Sequence, residues 1–510
     1  MLEFISGGDA GFYIALGPEG IDAGVNARVH ALARALEGTP GVTDLIPGYW
    51  NLFVEFDPLL TARARLEHIV RTLESKLEGA AFVGREHVIP VRYDGADLEA
   101  VAELTGLPTT EIIARHTSSP YTVYALGFTP GFPYLGTLEP ALHVQRLAVP
   151  RAHTPAHSVA IAGAQTGIYP LPSPGGWRVI GSALRRVYDP HRAQPFLLEP
   201  GDRVRFQAVE RGDLEPSTPA PDAALEGVPL FRVLETGLLS SVQDAGRRMV
   251  GRYGLARAGA LDPRAAHAAN ALVGNASDAP VLEFALRGPT LEVLEPAVLA
   301  LAGGGVRVVL NGHDLELHKS FTVRRGDHLE FPSVANGVRA YLAVRGGING
   351  ALRFGSRNTD LRAGLGGMRL EAGDVVHRLE AAPRAVRAGF AWTPPALEGI
   401  AVLRVTPGPQ AALFPPEAWR TFLKSTYRVS SGDRMGVRLE GARLEATRFD
   451  ITSEGVPVGA VQVNSSGQPM VLLNDRGTLG GYAKIAVLAR SSLGVAAQLR
   501  PGARVRFALR

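Results

Sequence analysis

The chain has 510 residues, of which 46% are hydrophobic and 20% charged, the balance of a globular protein too long for one core, so about three or four domains are expected. Its formal net charge is only +4, lysine is confined to Lys76, Lys319, Lys424 and Lys484, and no basic run occurs, which argues against a nucleic-acid partner. Cysteine is absent, excluding disulfides, thiolate nucleophiles and Cys-ligated metal centres. The first residues carry no signal-like pattern and no apolar run reaches membrane-spanning length, so no membrane partner and a cytoplasmic location are expected. Arginine bias without cysteine suits a thermophile or a GC-rich genome alike.

In chain order, Gly11 to Leu16 reads as a strand and Asn26 to Leu36 as a helix, with Val29, Leu32, Ala33 and Leu36 at helical spacing. Val42 to Ile46 and Asn51 to Phe56 follow as strands. Thr61 then precedes a helix with Leu66, Ile69, Val70, Leu73 and Leu77 on its apolar face. With His87 to Tyr93 as a closing strand, the order is β-α-β-β-α-β, the split arrangement of ferredoxin-like domains. Two short helices are expected at Asp97 to Thr105 and Pro108 to His116. From Tyr121 to about Phe206, short apolar strands alternate with Gly/Pro turns, the texture of a β-barrel. A stretch rich in Pro, Ala and Glu from Val209 to Pro229 reads as the main linker.

The second half is mostly strands. Asp262 followed by Pro263 marks a helix from Pro263 to Val273 with Gly274 as its stop, and a second helix is expected at Pro416 to Thr426. Another linker falls near Ala381 to Pro395. Four stretches share a Gly-centred turn entering an alternating strand: Leu198 to Phe206, Val323 to Phe331, Leu370 to Arg378 and Leu499 to Phe507. Their unequal spacing marks a recurring barrel device, by common descent or by convergent turn chemistry.

The densest stretch is LGFTPGFPYLG, Leu126 to Gly136. Pro130 and Pro133 fix φ while Gly131 opens angles closed to other residues, so Phe128, Phe132 and Tyr134 sit on a stiff turn. The stretch suits a planar ligand or partner, and equally an aromatic plug closing a barrel end. His116, Tyr169 and Trp177 lie beside similar turns. His157-Ser158 is set aside as a nucleophile and base, because adjacent strand residues point to opposite faces. In the second half three polar clusters stand out: Gln243, Asp244 and Arg247; Asp433 and Arg434; and Asn474, Asp475, Arg476, Tyr482 and Lys484. Arginine beside carboxylate is commonly a structural pair, but its fork also suits a carboxylate or carboxyphosphate-like ligand. There is no phosphate-binding GxxxxGK[ST] loop, no HExxH, no GxSxG elbow and no helix-opening GxGxxG. No lysine has the surroundings of a biotin carrier.

Several stretches resemble the two smaller subunits of the ATP-dependent 5-oxoprolinase family, also known as Kip inhibitor and Kip antagonist, or as allophanate hydrolase subunits 1 and 2. They are HTSSPYTVYALGFTPGFPYLG, PRAHTPAHSVAIAGAQTGIYPLPSPGGWRVIG and LLEPGDRVRF in the first half. In the second they are SVQDAGR, AGALDPRAAHAANALVGN, SSGDRMGVRLEG and GQPMVLLNDRGTLGGYAKIAVL. The chain resembles a fusion of both subunits. The resemblance implies a mainly β protein: a ferredoxin-like α+β domain over 1–92, a cyclophilin-like β-barrel over 93–208, a linker over 209–229, and two further cyclophilin-like lobes over 230–380 and 381–510.

It also implies an enzyme component that, with a separate LamB/YcsF-type subunit, opens 5-oxo-L-proline to L-glutamate at the expense of ATP. Mg-ATP would be held here or on the partner. A lactam is a poor electrophile, so phosphorylation of its carbonyl oxygen is the reasonable role of ATP. By carry-over, Asp244, Arg247, Arg476 and Tyr482 are the candidate catalytic residues. His116, Phe128, Pro130, Gly131, Phe132, Tyr134, Tyr169, Trp177, Gln243 and Arg434 are the candidates for substrate binding, with no metal ligand among them. Two departures are His157 where the family usually has glycine, and GSRNTDLRAGLGGMRL, which puts ligand roles for Arg357 and Arg369 in doubt. Two alternatives stay open: a regulatory module that docks a histidine kinase, and a carboxyltransferase-like module for a urea-like substrate. A homo-oligomer is compatible with all three.

Overall fold

The computed structural model describes residues 2–77, 84–217, 227–315, 320–367, 369–380, 392–393 and 399–510, without the side chains of 75–77. Most of the linker expected near 381–395, and residues 218–226 of the one expected over 209–229, lie outside the described residues.

The N-terminal unit is an antiparallel sheet in the order Glu3–Ser6, Gly11–Ala15, Asn51–Phe56, Val42–Pro47. The helices Ala23–Ala35 and Arg63–Leu77 cover one face. Strand alternation buries both faces: Phe12, Ile14, Leu52 and Val54 meet Val29, Leu32, Leu66 and Val70 of the helices, while Tyr13 and Phe53 point the other way, into a cluster shared with the rest of the molecule. The first helix starts three residues earlier than its apolar spacing suggests, because the Asp22 side chain accepts a hydrogen bond from the Val25 amide at 2.8 Å and caps it.

One sequence expectation needs correction. The strand expected at His87 to Tyr93 to close this sheet is present at Glu86–Arg92, but it belongs to the next unit. It runs parallel to Arg203–Ala208 over six residue pairs, from Arg203 opposite Glu86 to Ala208 opposite Val91, and buries Ile89 and Val91 there. The sheet edge it would have filled is taken by Glu3–Ser6, a strand with too short an apolar pattern to stand out.

Around Glu86–Arg92 closes a seven-stranded barrel. Its ring runs Glu86–Arg92, Arg203–Ala208, Tyr121–Leu126, Pro133–Gly136, Gln165–Ile168, Ser158–Ala162, Arg178–Ala183 and back to the start. Helix Thr109–Thr117 packs on its last strand. The middle lobe, from Val228–Glu235 to Val375–Arg378, has a six-stranded and a five-stranded sheet joined by a core that includes Phe231, Leu282, Phe284, Leu299 and Leu342. Helix Pro263–Val273 lies against the five-stranded sheet with the ends its sequence announced, an Asp262 cap and Gly274 at φ 74°.

The last lobe repeats the first barrel. Its ring runs Ile400–Pro407, Arg504–Leu509, Tyr427–Gly432, Gly436–Glu440, Pro469–Leu472, Ala460–Val463, Leu479–Leu488, and closes through Val405 opposite Leu488. In both rings the first and last strands are parallel neighbours and the remaining strands follow in the same order. Helix Pro416–Lys424 covers the last strand as Thr109–Thr117 does in the first barrel. Strand Asp450–Gly455 adds to the outside of Leu479–Leu488. No helix among the described residues is long and apolar enough to cross a membrane.

Candidate functional site at the seam between the two halves

The two barrels bring the predicted residues together through corresponding loops. In the first barrel the loop after Tyr121–Leu126 carries Phe128 to Phe132, and the stretch after Gln165–Ile168 carries Tyr169 to Trp177. Gly131 has φ 74°, and a Cβ there would stand 2.9 Å from the Tyr188 side chain, so glycine is required. Phe132 is the hub: its ring lies 5.0 Å from Tyr134, 5.1 Å from Tyr169 and 5.6 Å from Trp177, each edge to face. Phe132, Tyr134, Tyr169 and Trp177 are all buried; Phe128 is half-buried beside them and Pro130 is buried in the same turn. The arrangement is a packed aromatic cluster with a thin exposed edge at Tyr134 and Trp177, which are 8% and 6% exposed.

Other units complete the cluster. Tyr13, Tyr49 and Phe53 enter from the N-terminal sheet and Leu479 from the last lobe. The Tyr13 hydroxyl donates to the Gly455 carbonyl at 2.6 Å, and the Gln165 amide donates to the Tyr49 hydroxyl. Burial pushes the Tyr134 phenol up to about 12, against the pull of Arg146. Arg146 itself lies 6.0 Å from the Trp177 ring.

In the last lobe the loops at the same two places in the ring carry Asp433 and Arg434, then Asn474, Asp475 and Arg476. Arg434 is the hub of this side. Its guanidinium forks onto Asp475 at 2.8 and 3.1 Å, contacts Glu283, and donates to the Gly259 carbonyl at 2.7 Å. It also reaches Gln243 Oε1 at 3.4 Å. Burial opposes ionisation of Glu283, yet Arg434 and Arg339 hold its carboxyl below the usual range. Gln243 is fully buried and donates to Ser241 and the Thr359 carbonyl. Asp244 accepts from Ser356, the Gly246 amide at 2.8 Å and the Arg357 amide at 2.7 Å, so it braces the turn.

Arg247 and Arg476 differ from Arg434 in keeping capacity. Arg247 is 1% exposed and donates to the Asn358 carbonyl at 2.9 Å, while its Nε and Nη1 have no hydrogen-bond partner among the described residues; Asp360 stands 3.6 Å from Nη1. Arg476 donates from Nε to the Val456 carbonyl at 2.6 Å and leaves Nη1 without one among the described residues. Burial pulls both guanidinium groups below their ordinary basicity. Arg362 links the two sides, donating to the Phe128 carbonyl at 2.7 Å and toward the Asp475 carbonyl at 3.4 Å.

Two candidates lie apart. His116 is wholly buried in the first barrel, its ring stacked 4.6 Å from Phe206, with Nδ1 2.7 Å from the Tyr93 hydroxyl and Nε2 2.8 Å from Thr166 Oγ1. Burial pushes its pKa down to about 3, so it is a neutral core ring. Tyr482 is 45% exposed, opposite Asp450 at the edge of the last lobe. Its neighbour Lys484 is fully buried, with Nζ 2.9 Å from Glu454 Oε1. Arg357, whose ligand role was in doubt, donates to Asn349 and the Gly350 carbonyl. Sequence reading missed Tyr13, Tyr49, Arg146, Glu283 and Arg362. The aromatic pair Tyr49-Trp50 in a turn was the one local signal available, since the others gain their place only through long-range contacts.

A family model described as carboxyltransferase domain, subdomain C and D, matches residues 2–198, and one described as carboxyltransferase domain, subdomain A and B, matches residues 253–509. The first half is similar to the B-type 5-oxoprolinase subunit of Escherichia coli O157:H7, 43% identical over 189 residues that cover 36% of this chain and 86% of the relative. The second is similar to the C-type 5-oxoprolinase subunit of Escherichia coli K12, 34% identical over 289 residues that cover 54% of this chain and 90% of the relative. Among solved structures, that of TTHA0988 superposes with a TM-score of 0.90 at 45% identity over 100% of both chains. The urea amidolyase of K. lactis gives a TM-score of 0.51 at 30% identity, over 57% of this chain and 19% of that one. The chain therefore belongs to the carboxyltransferase-domain family, with a half similar to the B-type 5-oxoprolinase subunit joined to a half similar to the C-type one.

Proposed function

We propose that this chain is a two-subunit component of a 5-oxoprolinase, opening 5-oxo-L-proline to L-glutamate with ATP hydrolysis in company with a LamB/YcsF-type subunit in the cytoplasm. The observation that carries the reading is the seam. The aromatic loops of the B-type half and the arginine–carboxylate loops of the C-type half are corresponding parts of two barrels, and Arg362 joins them. An apolar wall beside fixed guanidinium groups suits a flat, uncharged ring that develops negative charge on a carbonyl oxygen. In this scheme Arg247 and Arg476, with N–H groups to spare, stabilise that charge, while Gln243, Asp244 and Arg434 hold the frame.

The sequence has no phosphate-cradling loop with lysine, which favours the partner subunit as the holder of Mg-ATP. In this scheme the nucleotide binds to the partner subunit. The similarity to a urea amidolyase supports carboxyl transfer to a urea-like substrate as the second reading, which would require a carrier on another chain.

The test is release of glutamate and phosphate from 5-oxo-L-proline and ATP by this chain mixed with the LamB/YcsF-type protein of the same organism, each alone serving as control. Turnover only in the mixture is the expected result. Two folded, associated proteins without turnover would sink the reading.

A further inference from the structure

We infer that the exposed edge of the aromatic cluster is the recognition subsite for the substrate, in which Arg146 pairs with its carboxylate and Gln165, held by the buried Tyr49 hydroxyl, bonds its amide. The inference rests on the oxoprolinase reading and names the residues that select the ligand. The ligand class it predicts is a small, flat amide bearing one carboxylate.

Three observations support it. The first is an uncompensated cation. Arg146 sits 6.0 Å from the Trp177 ring, forms no ion pair with a carboxylate among the described residues, and is exposed. Its neighbour Arg151 is different, because its guanidinium is held by Asp97 at 2.5 Å. The second is that Arg146 is pinned. The Leu147 amide donates to the Gly176 carbonyl at 2.7 Å, and Arg178 Nε donates to the Gln145 carbonyl at 3.1 Å. The residues on either side are therefore tied to the strand that begins just after Trp177, and the cation is presented at the cluster's edge with part of its ordering cost already met.

The third is the chemistry around it. Half-buried Gln165 supplies an uncharged amide able both to donate and to accept, as a lactam requires. Gln165 and the Tyr49 hydroxyl are bonded to each other, and the Tyr49 ring meets Tyr134 at 6.0 Å. Arg146 is near enough to Tyr49, Tyr134 and Tyr169 to ease ionisation of all three phenols. A flat ring against the Trp177 edge would meet apolar surface, an amide-matching side chain and one positive charge, while the nearby Asp97 carboxylate is already taken up by Arg151 and the Val179 amide. Tyr49 comes from the N-terminal sheet and the other groups from the first barrel, so the subsite exists only when these units are docked.

The experiment measures KM and kcat for 5-oxo-L-proline and for 2-pyrrolidone, the same lactam without the carboxylate, using the full chain with its LamB/YcsF-type partner. R146Q should raise KM for 5-oxo-L-proline about tenfold or more, the loss of one charge-assisted pair, while leaving kcat/KM for 2-pyrrolidone unchanged. R146K should recover part of the loss, and Q165L should weaken both substrates alike. An active wild-type mixture with an unaltered KM in R146Q would overturn the inference and leave the oxoprolinase reading standing. A wild-type mixture inactive on 5-oxo-L-proline would remove both. Equal losses on the two substrates in R146Q would also overturn it, since a structural role for Arg146 does not distinguish a carboxylate.

Discussion

The first and last barrels share a ring order, a covering helix and even a core motif, yet they differ at their mouths. In the first, His116 of the covering helix stacks on Phe206 beside Tyr121. In the last, Phe422 stacks on Phe507 at 4.3 Å beside Tyr427. The same position thus accepts an imidazole or a phenyl ring, which places His116 among the core rings. At the mouths the corresponding loops have diverged into Phe128, Phe132, Tyr169 and Trp177 in one barrel and Arg434, Asp475 and Arg476 in the other. Scaffold and chemistry have separated: the shared core keeps the loops in place, and the loops carry what each half contributes.

Removing each hub tests this contrast most severely. Arg434→Ala leaves Asp475 a buried carboxylate without its forked partner and Glu283 with only Arg339 at 3.7 Å, and is expected to cost about 3–5 kcal/mol. Phe132→Ala removes the aromatic hub and should cost about 3 kcal/mol or more. Both are read as shifts of the first denaturant transition, since a molecule of several domains need not unfold in one step. A loss under about 1 kcal/mol in either would mean that its loop is not held by that residue.

A second test separates the charged side of the seam from the aromatic side by pH. Burial and the nearby Glu55 push Asp44 up to about 7, although the Gly251 and Leu45 amides bond its carboxylate. Because the folded-state pKa lies above the ordinary value, its stabilising contribution is full below about pH 4 and is lost as pH rises through 7, a change on the order of 4 kcal/mol. Asp44→Asn should flatten that part of the stability profile, measured by melting temperature from pH 4 to 8. An unchanged slope would show that Asp44 titrates normally.

His116→Phe tests the equivalence of the two cores. His116 has a folded-state pKa of about 3, below its ordinary value. Its contribution is therefore present above about pH 6.5 and lost as pH falls toward 3. The substitution should cost about 1–3 kcal/mol at pH 8 by stranding the Tyr93 hydroxyl, while Thr166 keeps the Ala160 carbonyl, and should soften acid unfolding. With turnover established, kcat should stay within about twofold, whereas a loss of activity out of proportion to stability would return His116 to the substrate site.

Cutting the chain between the halves should change least. Contacts across the seam include Arg257 with Glu55 at 3.1 Å, the Gly251 amide with Asp44, Asn51 with Glu454 at 2.8 Å and Tyr13 with Gly455. A protease site placed within 218–226 should, after cleavage, leave two fragments that co-elute at micromolar concentration and melt within a few degrees of the intact chain. Separation of the fragments would show that the seam depends on the tether.

How much of this was legible from the residues varied with the range of the forces involved. Helix Pro263–Val273 was readable because its cap, its proline and its glycine stop are local. Helix Arg490–Ala497 was not, since its N-cap position is Ala489 without a side-chain bond and its packing surface is distant in sequence. The repeat at Leu198 to Phe206 and Leu499 to Phe507 was visible, but that the two lead into corresponding last strands of two like rings became clear only from topology. The assignment of Glu86–Arg92 to the first sheet failed for the same reason, because alternation identifies a strand and not its neighbour. At the seam, motif residues were found while Arg146 and Glu283 were not, as nothing local distinguishes them from surface or core residues of the same type.

The parallel pairing of first and last strands constrains the order of events during synthesis. Glu86–Arg92 emerges from the ribosome long before Arg203–Ala208, and Ile400–Pro407 long before Arg504–Leu509, so neither ring can shut until its final strand has been made. The first barrel can finish while the last is still being translated. Its aromatic mouth must then wait, because Tyr13 finds its acceptor at Gly455 and the cluster gains Leu479 only once the last lobe arrives. During that interval the nascent chain presents an aromatic surface that the last lobe has yet to cover.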